Sequence, residues 1–585
     1  MCASPWFVLA LSCLALLGQE AGPRTSRQWL GGQEVGGTSV ETRQVGGIQE
    51  VLSHEWMVLS RLNQEIRQEV NETARRTADG HLTFTWRLQL SAEPYEGRAE
   101  WSPLAPRTLS IQPTHGPAVQ KEVPEEAILW PGELEARLKE AARTVHSVRA
   151  ITFSFPIQQW CTLLLEPQGP APLPGYPDAV RFTGQERQGT YSAPVEVWIS
   201  PRLGELRTRT ELGGLELVTQ RSTLPAPTPT RASAQGFFER TLQQLPPHPF
   251  QPWLSELTLR AVGPPPDLPE DAQQTRLPQG LWRLRRATPP TATEAAQAPA
   301  QCAPDAADAR YLAPSQLVSF QDPAFDGLLH RMALPPGLSR WELAKRVNTF
   351  VFDWITDKDY TVGFASALEV CRNPRGDCTE HSVLAVALLR RLGVPARGVT
   401  GWVGLGEVLG LHFWVEIRLQ NRWVPIDPTF DQAPASALRI KLGDTDLADL
   451  GSVAWEGAAN DLAGVRWVPV GEEPLAIKGD QLAGPGGIQL RLPGGRWVLK
   501  HGVLHLRAAK GGPWRVQAVT RPGEAQLKGA VHLAGARTLR PGWWISSSRL
   551  VWIDLGGGRW LQVENVSEHE AFDLLDQLMA TASSS

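Results

Sequence analysis

The sequence predicts a multidomain α+β chain: a β-rich N-terminal part, a central mixed α/β core, and a β-rich C-terminal part with a terminal helix. Three observations carry this. The 585 residues amount to three to four units at about 150 residues per domain. The 53 Gly and 49 Pro exceed the combined ~12 % of an average chain, which favours turn-rich β structure. Period-two alternation runs through the first and last thirds, whereas apolar spacing of helical period is concentrated between residues 339 and 393. Hydrophobic residues at 42 % and charged residues at 20 % suit a folded chain. The 57 Lys and Arg against 61 Asp and Glu contain no basic block, so a nucleic-acid footprint is not expected.

The chain opens with the apolar run WFVLALSCLALLG at 6–18, too short for a helix to cross ~30 Å of hydrocarbon. It reads as the apolar region of a signal peptide over 1–21, with small residues Gly18 and Ala21 near the cleavage point, although MCASP lacks the usual Lys or Arg. A lipid anchor on Cys13 fits poorly, because Leu14 to Leu17 prolong the apolar run. The expected location is secreted, periplasmic or cell-envelope, with no integral membrane span after cleavage.

A β-rich N-terminal domain with Pro-rich joints is expected over 30–286. In HLTFTWRLQL, Leu82, Phe84, Trp86, Leu88 and Leu90 fall on one face of a strand, and Gly213-Gly214 between two alternating runs signals a hairpin. One amphipathic helix presents Leu134, Leu138, Ala141 and Val145. LPAPTPT, PPPDLP and the linker 287–308 cannot build a core, and the strands SELTLRAV and GLWRLRRA between them are expected to dock back on the first domain. The central domain spans 309–442 and starts with a capping box of Ser339 and Glu342 ahead of Leu343, Val347, Val351 and Trp354. Over 470–585 alternation returns, and Ser567 and Glu570 cap a last helix bearing Leu574, Leu575, Leu578 and Met579. Trp497, Trp543, Trp544, Trp552 and Trp560 in this region suit sheet packing better than sugar or base stacking.

Chemistry concentrates in the centre. Cys378 in Gly-Asp-Cys-Thr-Glu-His precedes the apolar run SVLAVALLRRLG, so it heads a helix of about four turns that ends at Gly393. A helix N-terminus favours a thiolate over a thiol. His412 stands at the start of the alternating strand LHFWVEIRL, and Asp427 ends the next strand, RWVPIDPTF. One helix and two antiparallel strands can thus bring together a thiol, an imidazole base and a carboxylate that orients the imidazole. Taken singly, each has a plainer reading: a buried cysteine, a strand histidine, an Asp-Pro turn. His381 is a second imidazole on the helix, more readily structural, and Glu380 caps its start. A zinc site of Cys371, Cys378, His381 and His412 is weighed and set aside, since no C-x₂-C pair occurs. No D-x-[DN]-x-[DN]-G calcium loop is present in the sequence. Cys302 and Cys371 are candidates for a disulfide or for two free thiols.

The blocks RGDCTEHSVLAVALLRRLGVPAR and LHFWVEIRLQNRWVPIDPTF resemble the bacterial transglutaminase-like core, a papain-like fold, over roughly 310–440. The papain family proper is disfavoured, because its Cys-Gly-Ser-Cys-Trp signature is absent. The resemblance implies Cys378 as nucleophile, His412 as base and Asp427 as orienting acid. It also implies thiol acyl transfer on a peptide or glutamine amide by a transglutaminase, deamidase or peptidase. No cofactor or metal is implied. A protein or peptide substrate is expected, with cell-envelope proteins as candidate partners. Leu438-Arg439-Ile440 departs from the Thr-His-Ile version of many relatives, which bears on substrate-side contacts. The alternative is a non-catalytic envelope binding or scaffolding protein built on the same fold.

Overall fold

The computed structural model describes residues 23–223, 242–245, 256–295, 308–453 and 464–470, leaving out 62–63, 127, 189–190, 213–214, 289, 358–362, 406–407 and 421. Beyond 470 it describes the backbone of the strands alone. The leader at 1–21 and the terminal helix fall outside the described residues. The fold class is the expected multidomain α+β, with far more strand than helix.

A 14-stranded antiparallel sheet takes up the chain from Arg24–Leu30 to Leu215–Ser222. It is two meanders placed back to back. The first runs from Arg24–Leu30 out to Val119–Glu122, the second from Val148–Ser154 to Leu215–Ser222, and they join where the first strand pairs with the last, Thr25 opposite Ser222. Alternation settles which side chains face inward: Leu82, Phe84, Trp86 and Leu88 are buried and their neighbours are not. The sheet curls until Phe155, beyond the last strand of one end, packs on Phe84 at 4.1 Å between ring centroids.

The helix Glu133–Thr144 links the two meanders and buries Leu134, Leu138 and Ala141 against the second. Val145, expected on that face, is the left-handed C-cap and is 48 % exposed, because the helix ends one residue before it. Along the seam of the sheet the interior is polar. Glu55 accepts Gln28 Nε2 at 2.7 Å. Burial pushes its carboxyl up to about 7, helped by the neighbouring carboxylates of Glu72, Glu186 and Glu205.

The strands Glu256–Val262 and Leu281–Arg285 do not dock on this sheet, contrary to expectation. They pair with each other, with Gln274–Leu277 and with Arg466–Pro469, and pack Leu257, Leu259, Trp282 and Trp467 against Trp402, Leu411 and Ile440 of the core. Alternation marks a strand but carries no address for its partner. The linker expected at 287–308 is also docked in its described part, where Glu294 of the short helix Ala292–Ala295 accepts Arg422 Nε at 2.8 Å.

The core has a central antiparallel sheet. Val408–Leu419 is flanked on one side by Ala396–Leu405, itself paired with Arg439–Thr445, and on the other by Arg422–Ile426 and the short Gln243–Gln244. Against it lies the helix Cys378–Arg391, buried from Cys378 to Arg390 and apolar on every side from Val383 to Leu389. Arg340–Trp354 packs beside it, with Ser339 Oγ capping Glu342 N and Leu343, Val347 and Val351 buried; Trp354 is half-buried.

The first sheet and the core share one apolar interior, in which Leu88, Leu90, Tyr95 and Ile157 meet Phe364, Leu368 and Val370. Beyond 470 the backbone forms a three-stranded sheet, Ala476–Lys478 to Ile488–Arg491, and a seven-stranded one with Arg496–Lys500 at an edge and Arg559–Glu564 within it. Among the described residues no helix is long and apolar enough to cross a membrane.

Candidate active site

The site is built where the buried helix meets the central sheet. Cys378 is the first residue of the helix, and Asp377 is its N-cap, accepting Thr379 N at 3.1 Å. Glu380 completes a capping box by accepting Asp377 N at 2.9 Å, and also takes Ala365 N at 3.0 Å and Thr379 Oγ1 at 2.8 Å. Burial first, and the Asp377 charge second, push the Glu380 carboxyl up to about 8. Gly376 makes this packing possible, since a Cβ there would lie 2.3 Å from Glu380 Cγ.

His412, expected at the start of its strand, sits inside Val408–Leu419 opposite Gly401, because the strand already begins at Val408. A Cβ on Gly401 would come within 2.6 Å of Trp414. Its absence lets the Trp414 ring lie back alongside His412, at 6.2 Å between centroids, while Phe430 approaches the imidazole at 5.1 Å. Asp427 follows the strand Arg422–Ile426 directly and faces His412 Nε2 with Oδ2 at 2.7 Å. Its Oδ1 accepts Thr429 N at 3.0 Å, the Asp-Pro-Thr turn bond expected from the sequence.

Burial alone would raise the Asp427 carboxyl, but the charges of His412 and Arg439 outweigh it and hold it well below the usual carboxylate range. Helix and strand are tied by Ser382, one turn after Cys378, whose Oγ donates to the carbonyl of Phe413 at 3.1 Å. Cys378, His412 and Asp427 are all fully buried.

Other candidates are placed elsewhere. His381 is buried with Nδ1 2.5 Å from the Asp377 carbonyl, as a structural histidine would be. Cys371 is a free, buried thiol pushed up to about 11, mainly by burial, so it forms no bridge with Cys302; Cys161 is disulfide-bonded. Among the described residues, no cluster of three or more His, Cys, Asp or Glu side chains is placed to hold a metal ion. Sequence reasoning missed Asp377 as the N-cap and Arg439 as a partner of Asp427. The signal for the first was Asp-x-x-Glu at 377–380; for the second there was none, since Arg439 alternates with Ile440 and Lys441 as a solvent-facing residue would.

Residues 333–428 match the model of the Transglutaminase-like superfamily. The chain thus carries a transglutaminase-like core, and the three residues singled out fall within that match. No curated protein matches the chain. Among solved structures, a candidate cysteine protease from Cytophaga hutchinsonii is 14 % identical with a TM-score of 0.24, over 41 % of this chain and 91 % of its own. A beta-barrel-like protein of a domain of unknown function from Brucella abortus is 9 % identical with a TM-score of 0.28, over 35 % of this chain and 97 % of its own. A candidate protease from Parabacteroides distasonis is 10 % identical with a TM-score of 0.17, over 86 % and 95 %.

Proposed function

We propose that the chain is a cysteine acyltransferase or protease of transglutaminase-like type, with Cys378 as nucleophile, His412 as base and Asp427 as the group that orients His412. The observation that supports this most is the 2.7 Å contact of His412 Nε2 with Asp427, on a strand that Ser382 ties to the Cys378 helix. With Nε2 committed to the carboxylate, proton exchange with the thiol runs through Nδ1.

Cys378 Sγ attacks the carbonyl carbon of a peptide or glutamine amide while its proton passes to His412. The tetrahedral adduct collapses as the imidazolium returns that proton to the departing amine or ammonia, leaving a thioester. An amine or water then attacks the thioester, giving up a proton to His412, and the thiol is restored. An amine acceptor makes a transglutaminase. Water makes a deamidase on a side-chain amide and a peptidase on a main-chain amide. No cofactor enters the scheme. The apolar run at 6–18 supports export to the envelope or beyond, where protein substrates are at hand.

The full burial of Cys378 and His412 favours a second reading, a non-catalytic binding or scaffolding module. Iodoacetamide labelling of Cys378 as a function of pH separates the two, with His412→Ala as comparison. The enzyme reading expects labelling to set in well below the ~8.5 of an ordinary thiol, and to move up in the variant. Identical onsets near 8.5 would sink it.

A further inference from the structure

Arg439 stands on the strand Arg439–Thr445, its side chain 5 % exposed, and spends every donor it has on the turn that carries Asp427. Nε reaches Asp427 Oδ2 at 3.2 Å, and Nη2 donates to the same oxygen and to Gln432 Oε1 at 2.9 Å. Nη1 donates to the Ser436 carbonyl at 3.1 Å and to Ser436 Oγ at 2.7 Å. A guanidinium has five N–H groups, and all five are used. The turn closes around it: Asp427 N donates to the Gln432 carbonyl at 2.8 Å, and Ser436 N donates to Gln432 Oε1 at 3.1 Å.

Imidazole and guanidinium therefore meet on one oxygen, Asp427 Oδ2. The imidazole gains and loses its charge, while the guanidinium keeps its own at any pH a protein survives. A buried carboxylate facing only a neutral imidazole would be an uncompensated charge, and it would draw a proton onto the ring. Arg439 removes that need.

We infer that Arg439 is a positioning residue of the proposed acyl transfer: it locks the Asp427 carboxylate against His412 and, as a permanent counter-ion, limits how far the Cys378 proton is drawn to His412 at rest. This rests on the enzyme reading above. Other titratable and charged groups surround the site. Asp377, Glu380 and His381 lie on the helix. On the sheet, Glu416 is compensated by Arg397 at 2.6 Å and by Lys441 at 3.1 Å, and Lys441 also meets Asp444. Asp431, in the turn, accepts Asn348 Nδ2 and Thr349 Oγ1.

The test is the pH dependence of Cys378 labelling in the full chain, for wild type, His412→Ala, Arg439→Gln and Arg439→Lys, alongside turnover of a glutamine peptide with an amine acceptor. Arg439→Gln removes a cation close to the imidazolium, so labelling should begin about one pH unit lower than in wild type, while turnover falls at least tenfold as Asp427 loses its hold. Arg439→Lys should keep the onset within a few tenths of a unit and still lose turnover. An unmoved or raised onset in Arg439→Gln overturns the inference, because a merely structural residue would cost turnover without shifting the onset. Should Arg439→Gln fail to fold, wild-type turnover in Arg439→Lys overturns it. If instead wild type and His412→Ala label alike, the enzyme reading itself has failed, which the first pair of curves shows before Arg439 is considered.

Discussion

Glu55 in the first sheet and Asp427 in the core are both carboxylates removed from water, and they are driven in opposite directions. Glu55 has an amide donor and other carboxylates for company, so burial wins and its carboxyl rises to about 7. Asp427 has an imidazole, a guanidinium and a backbone N–H, so its partners win and it stays ionised far into acid. Burial sets the penalty for charge, and the partners decide whether the group carries that charge or discards it.

The largest expected effect comes from removing the compensated carboxylate. Asp427→Ala leaves Arg439 buried without its counter-ion and should destabilise the core by about 3–5 kcal/mol, read as a lower melting temperature of the core transition in calorimetry. Stability no different from wild type would mean that the two carboxylates are alike after all.

Next is Glu55→Gln. A carboxyl whose folded value lies above its unfolded one contributes stability that is complete below about 4.5 and is lost as pH rises through about 7. Wild type should therefore lose roughly 3 kcal/mol between pH 4.5 and 8 at this site, and the variant should lose none of it, as followed by denaturation of the first sheet against pH. Asp427 has the opposite sign: its contribution is present above about 3.8 and fades only as pH falls toward its depressed value. The smallest effect is expected at the surface pair Arg98 and Glu100, 2.6 Å apart but 68 % and 43 % exposed. Arg98→Ala should shift stability by less than about 0.5 kcal/mol; a larger loss would mean that proximity alone, without burial, governs these contacts.

What the sequence disclosed follows from how local its signals are. Alternation gave the inward faces of strands such as Leu82–Gln89, and Ser339 with Glu342 marked a helix start, because each is decided within a few residues. The helix that begins at Cys378, the strand bearing His412 and the turn at Asp427 were legible for the same reason, and the 2.7 Å contact of His412 with Asp427 follows from two adjacent strands. The pairing of Glu256–Val262 with Arg466–Pro469 was not legible, since nothing in either segment names a partner some 200 residues away. Arg439 escaped because an arginine in an alternating strand looks like a solvent-facing one until the turn at 427–436 is seen wrapped around it. Its place in Leu438-Arg439-Ile440 was noticed only as a departure, with no hint that it faces Asp427.

The seam of the first sheet bears on how the chain acquires its fold. Thr25 donates its Oγ1 to the Ser222 carbonyl, across 197 residues of chain. The first strand of this sheet to leave the ribosome is thus one of the two that close its middle, and it has to remain unjoined on one edge until nearly the whole sheet has followed. Each meander can form from local hairpins as it appears, but their union waits on the largest loop closure in the sheet, which makes joining the slow step. During that wait the open edges of Arg24–Leu30 and Leu215–Ser222 are the surfaces most in need of protection from other chains.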